Sequence, residues 1–288
     1  MQFPMELNSE IPTHPPRDAA TVVLLRDGAK GLEVFLVKRH TASQVLGGAY
    51  VFPGGKLDPG DSAVHPRHLN LTPKVLQGKL GESETPPDKA AGLFVAALRE
   101  TYEEAGVLLT ETPPSAQAQA ATDFLGLLRE QDLRLNVAAL HPWVRWITPH
   151  MPSVSSKRFD TRFFIAAMPA HQTAVHDNVE ATASAWLGPR QALEQYWNRT
   201  MEMAPPQIMS LAHLARHGSV ASVLTDLAAR TPATILPESR DQDGQRLMCY
   251  PGDPQHSVSA RALPGPTRLV WRNRRFEPEA GLATLWSD

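Results

Sequence analysis

The chain has 288 residues, of which 42% are hydrophobic and 20% charged, and this composition excludes a wholly disordered protein. Lys and Arg number 28 against 30 Asp and Glu, so the chain lacks the basic excess typical of proteins that bind nucleic-acid phosphates. Its one cysteine, Cys249, allows neither an internal disulfide nor a cysteine-based zinc site. No apolar run approaches the ~20 residues of a membrane span. We therefore expect a cytoplasmic protein without nucleic-acid or membrane partners.

Strand-like and helical segments alternate over the first 190 residues, which predicts an α/β domain. Beyond Pro189 the spacing predicts a mostly helical extension closed by a few strands. We divide the chain into an N-terminal tail (1–18), a main domain (19–190) and a C-terminal extension packed on it (191–288). In chain order, the predicted elements are strands at 21–25, 32–38 and 49–53, a loop at 59–88, helices at 88–105 and 120–130, strands at 143–148, 162–167 and 183–187, helices at 191–197, 206–217 and 219–229, and strands at 247–250 and 267–271.

The helix predicted at Asp88–Ala105 carries three glutamates on one side. Glu100, Glu103 and Glu104 have i, i+3, i+4 spacing, at which like charges repel each other. Arg99 is the one positive charge within reach. Mg²⁺ or Mn²⁺, which prefer oxygen ligands, would relieve the repulsion, and a solvated acidic face is the alternative. The apolar residues share an arc of about 100°, and they are Ala91, Phe94, Val95, Leu98, Tyr102 and Ala105.

Two segments together resemble the Nudix box, G-x5-E-x7-R-E-U-x-E-E-x-G-U, in which U is aliphatic. The first segment runs from Gly55 to Asp61, and Asp61 stands where the box usually has glutamate. The second segment begins at Arg99, and Thr101 stands at a position that is usually aliphatic. The box places seven residues between these halves and this chain places 37, so we interpret 62–91 as an insert of 30 residues. A longer loop costs only about 0.6 kcal/mol per doubling of its length, so the halves can still meet in space.

An insert at this point is similar to that of the coenzyme A diphosphatases of the Nudix-19 type. The resemblance implies a Nudix α/β/α sandwich around a mixed β-sheet, and hydrolysis of a diphosphate linkage, in coenzyme A or acyl-coenzyme A, by metal-activated water. We expect the Pro-rich insert to be a surface excursion that, with the loops, carries substrate recognition. Further stretches that resemble this branch are Gly48–Gly55, Arg158–Phe164, Ala185–Pro189, Pro205–Gln207 and Tyr250–Asp253.

The resemblance also assigns roles to individual residues. Glu103 and Glu104 are catalytic as well as metal-binding, and Arg99 orients a carboxylate of the box. A catalytic base often comes from a later acidic loop in this family, where Glu180 is the first candidate and Asp177 the second. The implied ligands of Mg²⁺ or Mn²⁺ are the Gly54 carbonyl, Glu100, Glu103 and Glu104.

Substrate phosphates need cationic partners, and a guanidinium group matches a phosphate bidentately. We assign Arg39, Arg158 and Arg162 to this role, with surface salt bridges as the alternative. Arg39 and Gly48 also fit a coenzyme A signature upstream of the box. Phe52, which follows Gly48 in the same stretch, is assigned to substrate binding.

Two other functions remain open at this point. The same chemistry would serve another diphosphate, such as NADH, ADP-ribose or a nucleoside triphosphate, and a non-catalytic nucleotide sensor is a third reading. The intact set of helix glutamates favours an enzyme. A homodimer is compatible with the sequence. His213 and His217 are spaced i, i+4, and we expect them on a surface rather than at a metal.

Overall fold

The structure is a computed structural model, and it describes residues 12–43, 46–113, 123–151 and 157–287. Its strands are β1 (Arg17–Gly28), β2 (Gly31–Arg39), β3 (Tyr50–Val51), β4 (Gly54–Lys56), β5 (His141–Ile147), β6 (Phe159–Ala167), β7 (Ala181–Leu187), β8 (Ala233–Ile235), β9 (Glu238–Gln242), β10 (Gln245–Cys249), β11 (Arg268–Arg272) and β12 (Arg275–Pro278). Its α-helices are α1 (Pro59–Ser62), α2 (Pro73–Leu80), α3 (Pro87–Ala105), α4 (Phe124–Glu130), α5 (Pro189–Trp197), α6 (Pro205–Leu214) and α7 (Val220–Ala228), and 3₁₀ turns lie at Pro66–His68, Val137–Ala139 and Leu282–Leu285.

The larger sheet is mixed, as the resemblance to the Nudix box implies. Its strand order in the described residues is β3-β2-β1-β6-β5-β8, with β4 beside β1 and β7 beside β2. Strand β1 runs parallel to β6, and β5 parallel to β8, whereas the other neighbours are antiparallel. Successive side chains of a strand point to opposite faces. Thus Val22 and Leu24 pack in the core that contains α3, and Val23 and Leu25 pack in the core that contains α5 and α6.

Helix α3 is the centre of the first of these cores, and its predicted boundaries hold to within one residue. Gly106 ends the helix with φ of 66°, a left-handed conformation that glycine adopts without strain. Phe94 and Leu98 are fully buried, and the Phe94 ring lies 4.7 Å from the ring of Phe164 on β6. Thr101, at the usually aliphatic position, is also fully buried, and its hydroxyl donates to the Ala97 carbonyl at 2.7 Å. This bond satisfies the hydroxyl inside the core.

The insert over 62–91 is not only a surface excursion, and in this respect the sequence prediction is wrong. It contains α2, whose Leu76 and Leu80 are buried in the same core as α3. The helix has local start and stop signals, because the Thr72 hydroxyl accepts the Val75 amide at 3.4 Å and Gly81 ends the helix at φ of 70°. The Pro-rich composition of the insert is typical of a loop, but two buried leucines stabilise a short helix within it.

The C-terminal extension also differs from the prediction. Helices α5 to α7 do cover the second face of the sheet, which completes the α/β/α layers. Strand β8 joins the larger sheet beside β5, and β9 to β12 form a separate antiparallel sheet in the order β12-β11-β10-β9. Two-residue turns with positive φ at both positions close its outer hairpins. These turns are Asp243-Gly244 and Asn273-Arg274.

The N-terminal boundary moves as well. The predicted tail over 1–18 falls mostly outside the described residues, but Arg17 and Asp18 already belong to β1. Within the part of the chain that the structure describes, no helix combines the length and the apolar character that a membrane crossing requires.

Candidate active site

The two halves of the box meet in space despite the residues between them. The Arg99 guanidinium forms a bidentate pair with Asp61, with Nε–Oδ1 at 2.8 Å and Nη2–Oδ2 at 2.9 Å. Nη2 also donates to the Lys56 carbonyl at 3.0 Å. Asp61 is buried, and its carboxylate accepts the Asp58 amide at 2.9 Å, which holds the first half of the box in place. Arg99 therefore joins the segment before the insert to the helix after it.

The same guanidinium reaches two of the helix glutamates. Arg99 Nη1 donates to Glu100 Oε1 at 2.7 Å and to Glu103 Oε2 at 2.9 Å. Burial would lower the pKa of Arg99, but hydrogen bonds to Asp61 and the charge of Glu100 outweigh it and raise the pKa. Glu103 is 40% exposed at its side chain, so one box carboxylate faces solvent. Arg99 is thus placed to orient box carboxylates, the role predicted for it.

Glu104 is the most buried of the three glutamates. Its Oε2 accepts the Gly54 amide at 3.0 Å, and its Oε1 lies 3.9 Å from Arg39 Nη1. Burial raises the pKa of Glu104 to about 8, and the charge of Glu100 adds to this rise. Burial likewise raises the pKa of Glu100 to about 7, although the Arg99 charge opposes it. Burial therefore makes the charged forms of Glu100 and Glu104 unfavourable. A divalent cation would offset this cost, and it prefers carboxylate oxygens as ligands, so it fits these residues.

Two glycines let the backbone of β4 approach the glutamates closely. A Cβ atom on Gly55 would lie 2.2 Å from Glu100 Oε1, and one on Gly54 would lie 2.5 Å from the Ala20 carbonyl oxygen. Backbone atoms leave room only for glycine at position 54, whereas at position 55 a Cβ would force the Glu100 carboxylate to move. The structure thus brings Gly54 together with the glutamates, and the predicted metal-ligand role of its carbonyl remains a prediction.

A cavity of about 680 Å³ opens beside this site. Its floor is one face of the larger sheet, where Arg17, Ala19 and Thr21 of β1 point to the same side. Glu100 and Gly54 lie at one end of it. Apolar and aromatic residues line much of the remainder, and they include Phe52, Trp146, Phe159, Phe163, Pro205, Pro206, Met248 and Phe276.

The C-terminal extension supplies part of the cavity wall. Pro205 and Gln207 come from α6, Met248 from β10 and Phe276 from β12. Sequence reasoning missed the last two residues, since they lie on short strands with no motif; only the Pro205–Gln207 stretch carried a signal, through its resemblance to the Nudix-19 branch.

Three of the remaining predicted residues also line the cavity, and they are Phe52, Arg39 and Glu180. Phe52 is buried and meets Phe163 edge to face at 6.2 Å. Arg39 lies between the carboxylates of Glu104 and Glu180. Its Nη1 is 3.9 Å from Glu104 Oε1, and its Nη2 is 3.8 Å from Glu180 Oε2. Asp177, the second candidate base, accepts the amides of Glu180 and Ala181 at 2.9 and 3.0 Å and so shapes the loop. Glu180 is therefore better placed than Asp177 to act in the cavity.

Arg162 lies outside the cavity and is nearly fully buried. Its guanidinium donates to Glu82 Oε1 and Oε2 at 3.0 and 2.6 Å and to Asp18 Oδ1 at 2.6 Å, and it lies 3.3 Å from Asp160 Oδ1. The Arg158 guanidinium donates instead to the carbonyls of Thr148 and Pro149. These partners argue against the predicted phosphate-binding roles: Arg162 ties the insert to the sheet, and Arg158 holds Thr148 and Pro149 at the cavity edge.

His213 and His217 gather with Asp226 near the C-terminal end of α6, outside the cavity. His213 is buried rather than on the surface as predicted, and it packs against Trp143 at 5.3 Å between ring centroids. Its Nε2 lies 3.4 Å from Asp226 Oδ2. The Arg230 guanidinium, 2.7 Å from the same Asp226 oxygen, already supplies a cation there.

A mixed sheet between helical layers, with a glutamate-bearing helix joined to a glycine pair, is the arrangement that the Nudix box implies. The model of the NUDT19 Nudix domain family matches residues 72–214. The acyl-coenzyme A diphosphatase NUDT19 of Xenopus laevis is 28% identical over 232 residues, and that of Homo sapiens is 26% identical over 240 residues. A crystal structure of a Nudix hydrolase from Alicyclobacillus acidocaldarius is 27% identical, with a TM-score of 0.61.

The matches extend well beyond the box. The alignments cover 65% and 68% of this chain but only 61% and 64% of the two vertebrate proteins, so this chain spans less than two thirds of their length. The solved structure is covered over 98% of its own chain and 76% of this one. The chain belongs to the Nudix hydrolases, in the family of the NUDT19 Nudix domain.

Proposed function

We propose that this protein is a divalent-metal-dependent diphosphatase that hydrolyses coenzyme A or acyl-coenzyme A. The observation that carries the proposal is the cavity, which is lined by Glu100 of the box at one end and by aromatic and aliphatic side chains over much of the rest. The name of the vertebrate relatives, acyl-coenzyme A diphosphatase, supports the choice of substrate.

The shape of the cavity suits a substrate with two unlike parts. Glu100 and the glycine pair mark the place for the diphosphate, and Trp146, Phe163 and Met248 offer an apolar surface for a flexible arm. A volume near 680 Å³ lies within the range of sites that enclose drug-sized ligands. We assign this apolar surface to the pantetheine or acyl arm.

The chemistry would be attack of water on one phosphorus of the diphosphate. The bond from that phosphorus to the bridging oxygen breaks, and the bridging oxygen leaves with the other phosphate. From coenzyme A the products are 3′,5′-ADP and 4′-phosphopantetheine. Glu100, Glu103 and Glu104 would hold Mg²⁺ or Mn²⁺, which polarises the diphosphate and lowers the pKa of water. Glu180, whose side chain is 61% exposed beside Arg39, is our candidate to accept the proton of the water.

The experiment is a panel of diphosphates with each metal, followed by the masses of the products. The panel contains coenzyme A, an acyl-coenzyme A, NADH, ADP-ribose and a nucleoside triphosphate. We expect the first two to be cleaved at the diphosphate. Cleavage of only the others would assign a different substrate to the same chemistry, and tight binding without cleavage of any compound would favour a sensor.

Glu103→Gln tests the role of the box directly. This change keeps the volume of a half-exposed side chain and removes its charge, so the fold should survive while kcat/KM falls by orders of magnitude. Glu84→Gln, on an exposed side chain of the insert, is the matched control and should leave kcat/KM unchanged. Retention of more than about a tenth of kcat/KM by Glu103→Gln, a loss under ~1.4 kcal/mol, would refute the assignment.

A further inference from the structure

Four cationic residues line the cavity, and they are Arg17, Arg39, Lys56 and Lys157. Two of them lie on the strands that form its floor. Arg17 is on β1 and Lys56 on β4, and both line the cavity. Lys56 is 57% exposed at its side chain, with Asp58 Oδ1 at 4.0 Å as its nearest ionic partner. Among the described residues, no carboxylate lies within 4 Å of the side-chain nitrogens of Arg17. We name Arg17 and Lys56 the basic rim.

Strand register fixes where the basic rim lies relative to the glutamates. Gly54 pairs with Thr21, and Lys56 pairs with Ala19. At ~3.3 Å per residue, Lys56 is therefore about 7 Å along the strand from Gly54, and Arg17 about 13 Å from Thr21. The order along the cavity floor is the glutamate end, then Lys56, then Arg17.

None of the three arginines that the sequence assigns to phosphate binding is placed to bind a phosphate away from the diphosphate. Arg162 is buried among carboxylates and Arg158 is bound to backbone carbonyls, whereas Arg39 faces Glu104 and Glu180 at the glutamate end. The lining cations away from the glutamate end are therefore Arg17, Lys56 and Lys157. Strand register fixes the first two on the cavity floor, where an anionic group of the substrate away from the diphosphate would meet them.

We propose that the basic rim is a second anion subsite, which binds a phosphate monoester carried on the ribose next to the diphosphate. The proposal rests on the proposed diphosphatase function. Such a phosphate is separated from the diphosphate only by carbons of the sugar, so it must bind within a side-chain length of the glutamate end. Lys56 has that position, and the longer Arg17 side chain closes the subsite from the far side.

The subsite selects for the additional phosphate. Coenzyme A carries it at the 3′ position, and NADPH carries it at the 2′ position of its adenosine. The paired compounds dephospho-coenzyme A and NADH lack it and are otherwise the same. The difference between the members of each pair therefore reports on the basic rim, and the pair that shows the larger difference identifies which phosphate the subsite fits.

The test measures kcat/KM for both pairs with the wild type, Arg17→Ala, Lys56→Ala and the double variant. We expect the wild type to prefer the phosphorylated member, and each single change to lower kcat/KM for that member about tenfold, chiefly through KM. The unphosphorylated member should change less than about threefold. Lys30→Ala removes an exposed positive charge outside this cavity, at the β1–β2 turn, and should alter neither compound.

Equal losses on both members of a pair would overturn the proposal while leaving the diphosphatase function intact. If neither pair is turned over, the proposed substrate fails, and the basic rim is tested by binding instead. Titration calorimetry would then compare adenosine 3′,5′-bisphosphate with AMP. A preference for the bisphosphate that the double variant abolishes supports the subsite, and equal affinity of the wild type for the two nucleotides overturns it.

Discussion

Glu82, inside the insert, should contribute to global stability through its contact with Arg162. Both carboxylate oxygens accept from the buried guanidinium, at 2.6 and 3.0 Å. Glu82→Gln keeps the volume and one acceptor but removes the charge. Because Arg162 retains Asp18 and Asp160, the loss should fall within the ~1.5–3 kcal/mol of hydrogen bonds to charged groups, at about 2 kcal/mol at pH 7. Urea unfolding measures this difference through the midpoint at constant m.

The pH dependence gives a second readout of the same contact. Burial would raise the pKa of Glu82, but the hydrogen bonds and charge of Arg162 outweigh it and hold the pKa below its ordinary value of 4.5. The stabilisation is therefore complete above about pH 4.5 and is lost as the pH falls through the lowered pKa. The wild type and Glu82→Gln should converge in acid. Glu84→Gln, two residues away and exposed, is the control, and equal effects of the two changes, or a difference that does not depend on pH, would refute the reasoning.

Two further substitutions test the insert and the glycine pair. Leu76→Ala should lower the free energy of unfolding by about 2–5 kcal/mol because Leu76 is fully buried, whereas Val75→Ala, at a 47% exposed neighbour, should cost little in urea unfolding. Gly55→Ala should leave the fold intact but lower Mn²⁺ affinity and kcat at least tenfold, since its Cβ would displace the Glu100 carboxylate; Gly78→Ala, where a Cβ meets nothing within 4 Å, should bind Mn²⁺ like the wild type.

The parts of the fold that sequence predicts well are those with strong local signals. The β1–β2 hairpin has a tight turn between two apolar runs, and α3 has a long apolar stripe and a glycine stop. By contrast, β9 (Glu238–Gln242) has mainly polar residues and no apolar alternation. It is a strand because the Asp243-Gly244 turn folds it back onto β10. Pairing of this kind is tertiary information that no window of β9 itself contains.

The candidate site likewise contains residues that local sequence signals predict and residues that only tertiary contacts bring into place. The three glutamates could be found because their spacing along one helix is local, and Asp61 because the box supplies a template. The sequence assigns Arg162 to phosphate because a guanidinium matches a phosphate. Its actual partner, Glu82, is 80 residues away, and no local pattern reveals that pair. Met248 was missed because only the packing of the second sheet brings it to the cavity.

The insert and the C-terminal extension pack on opposite faces of the larger sheet. Their positions therefore decide which of the two can contact the substrate. The insert begins at Ser62, and at its other end a Cβ on Gly92 would lie 2.3 Å from the Ser62 hydroxyl, so the two ends of the insert are in contact. Its helix α2 then packs beside α3, away from the cavity. Among the described residues that line the cavity, none comes from 62–91, whereas α6, β10 and β12 of the extension all contribute. The insert therefore stabilises the catalytic helix, and the expectation that it recognises substrate is not supported. Changes in the size of the apolar wall, at Met248 or Phe276, are the ones that should alter which arm the cavity accepts.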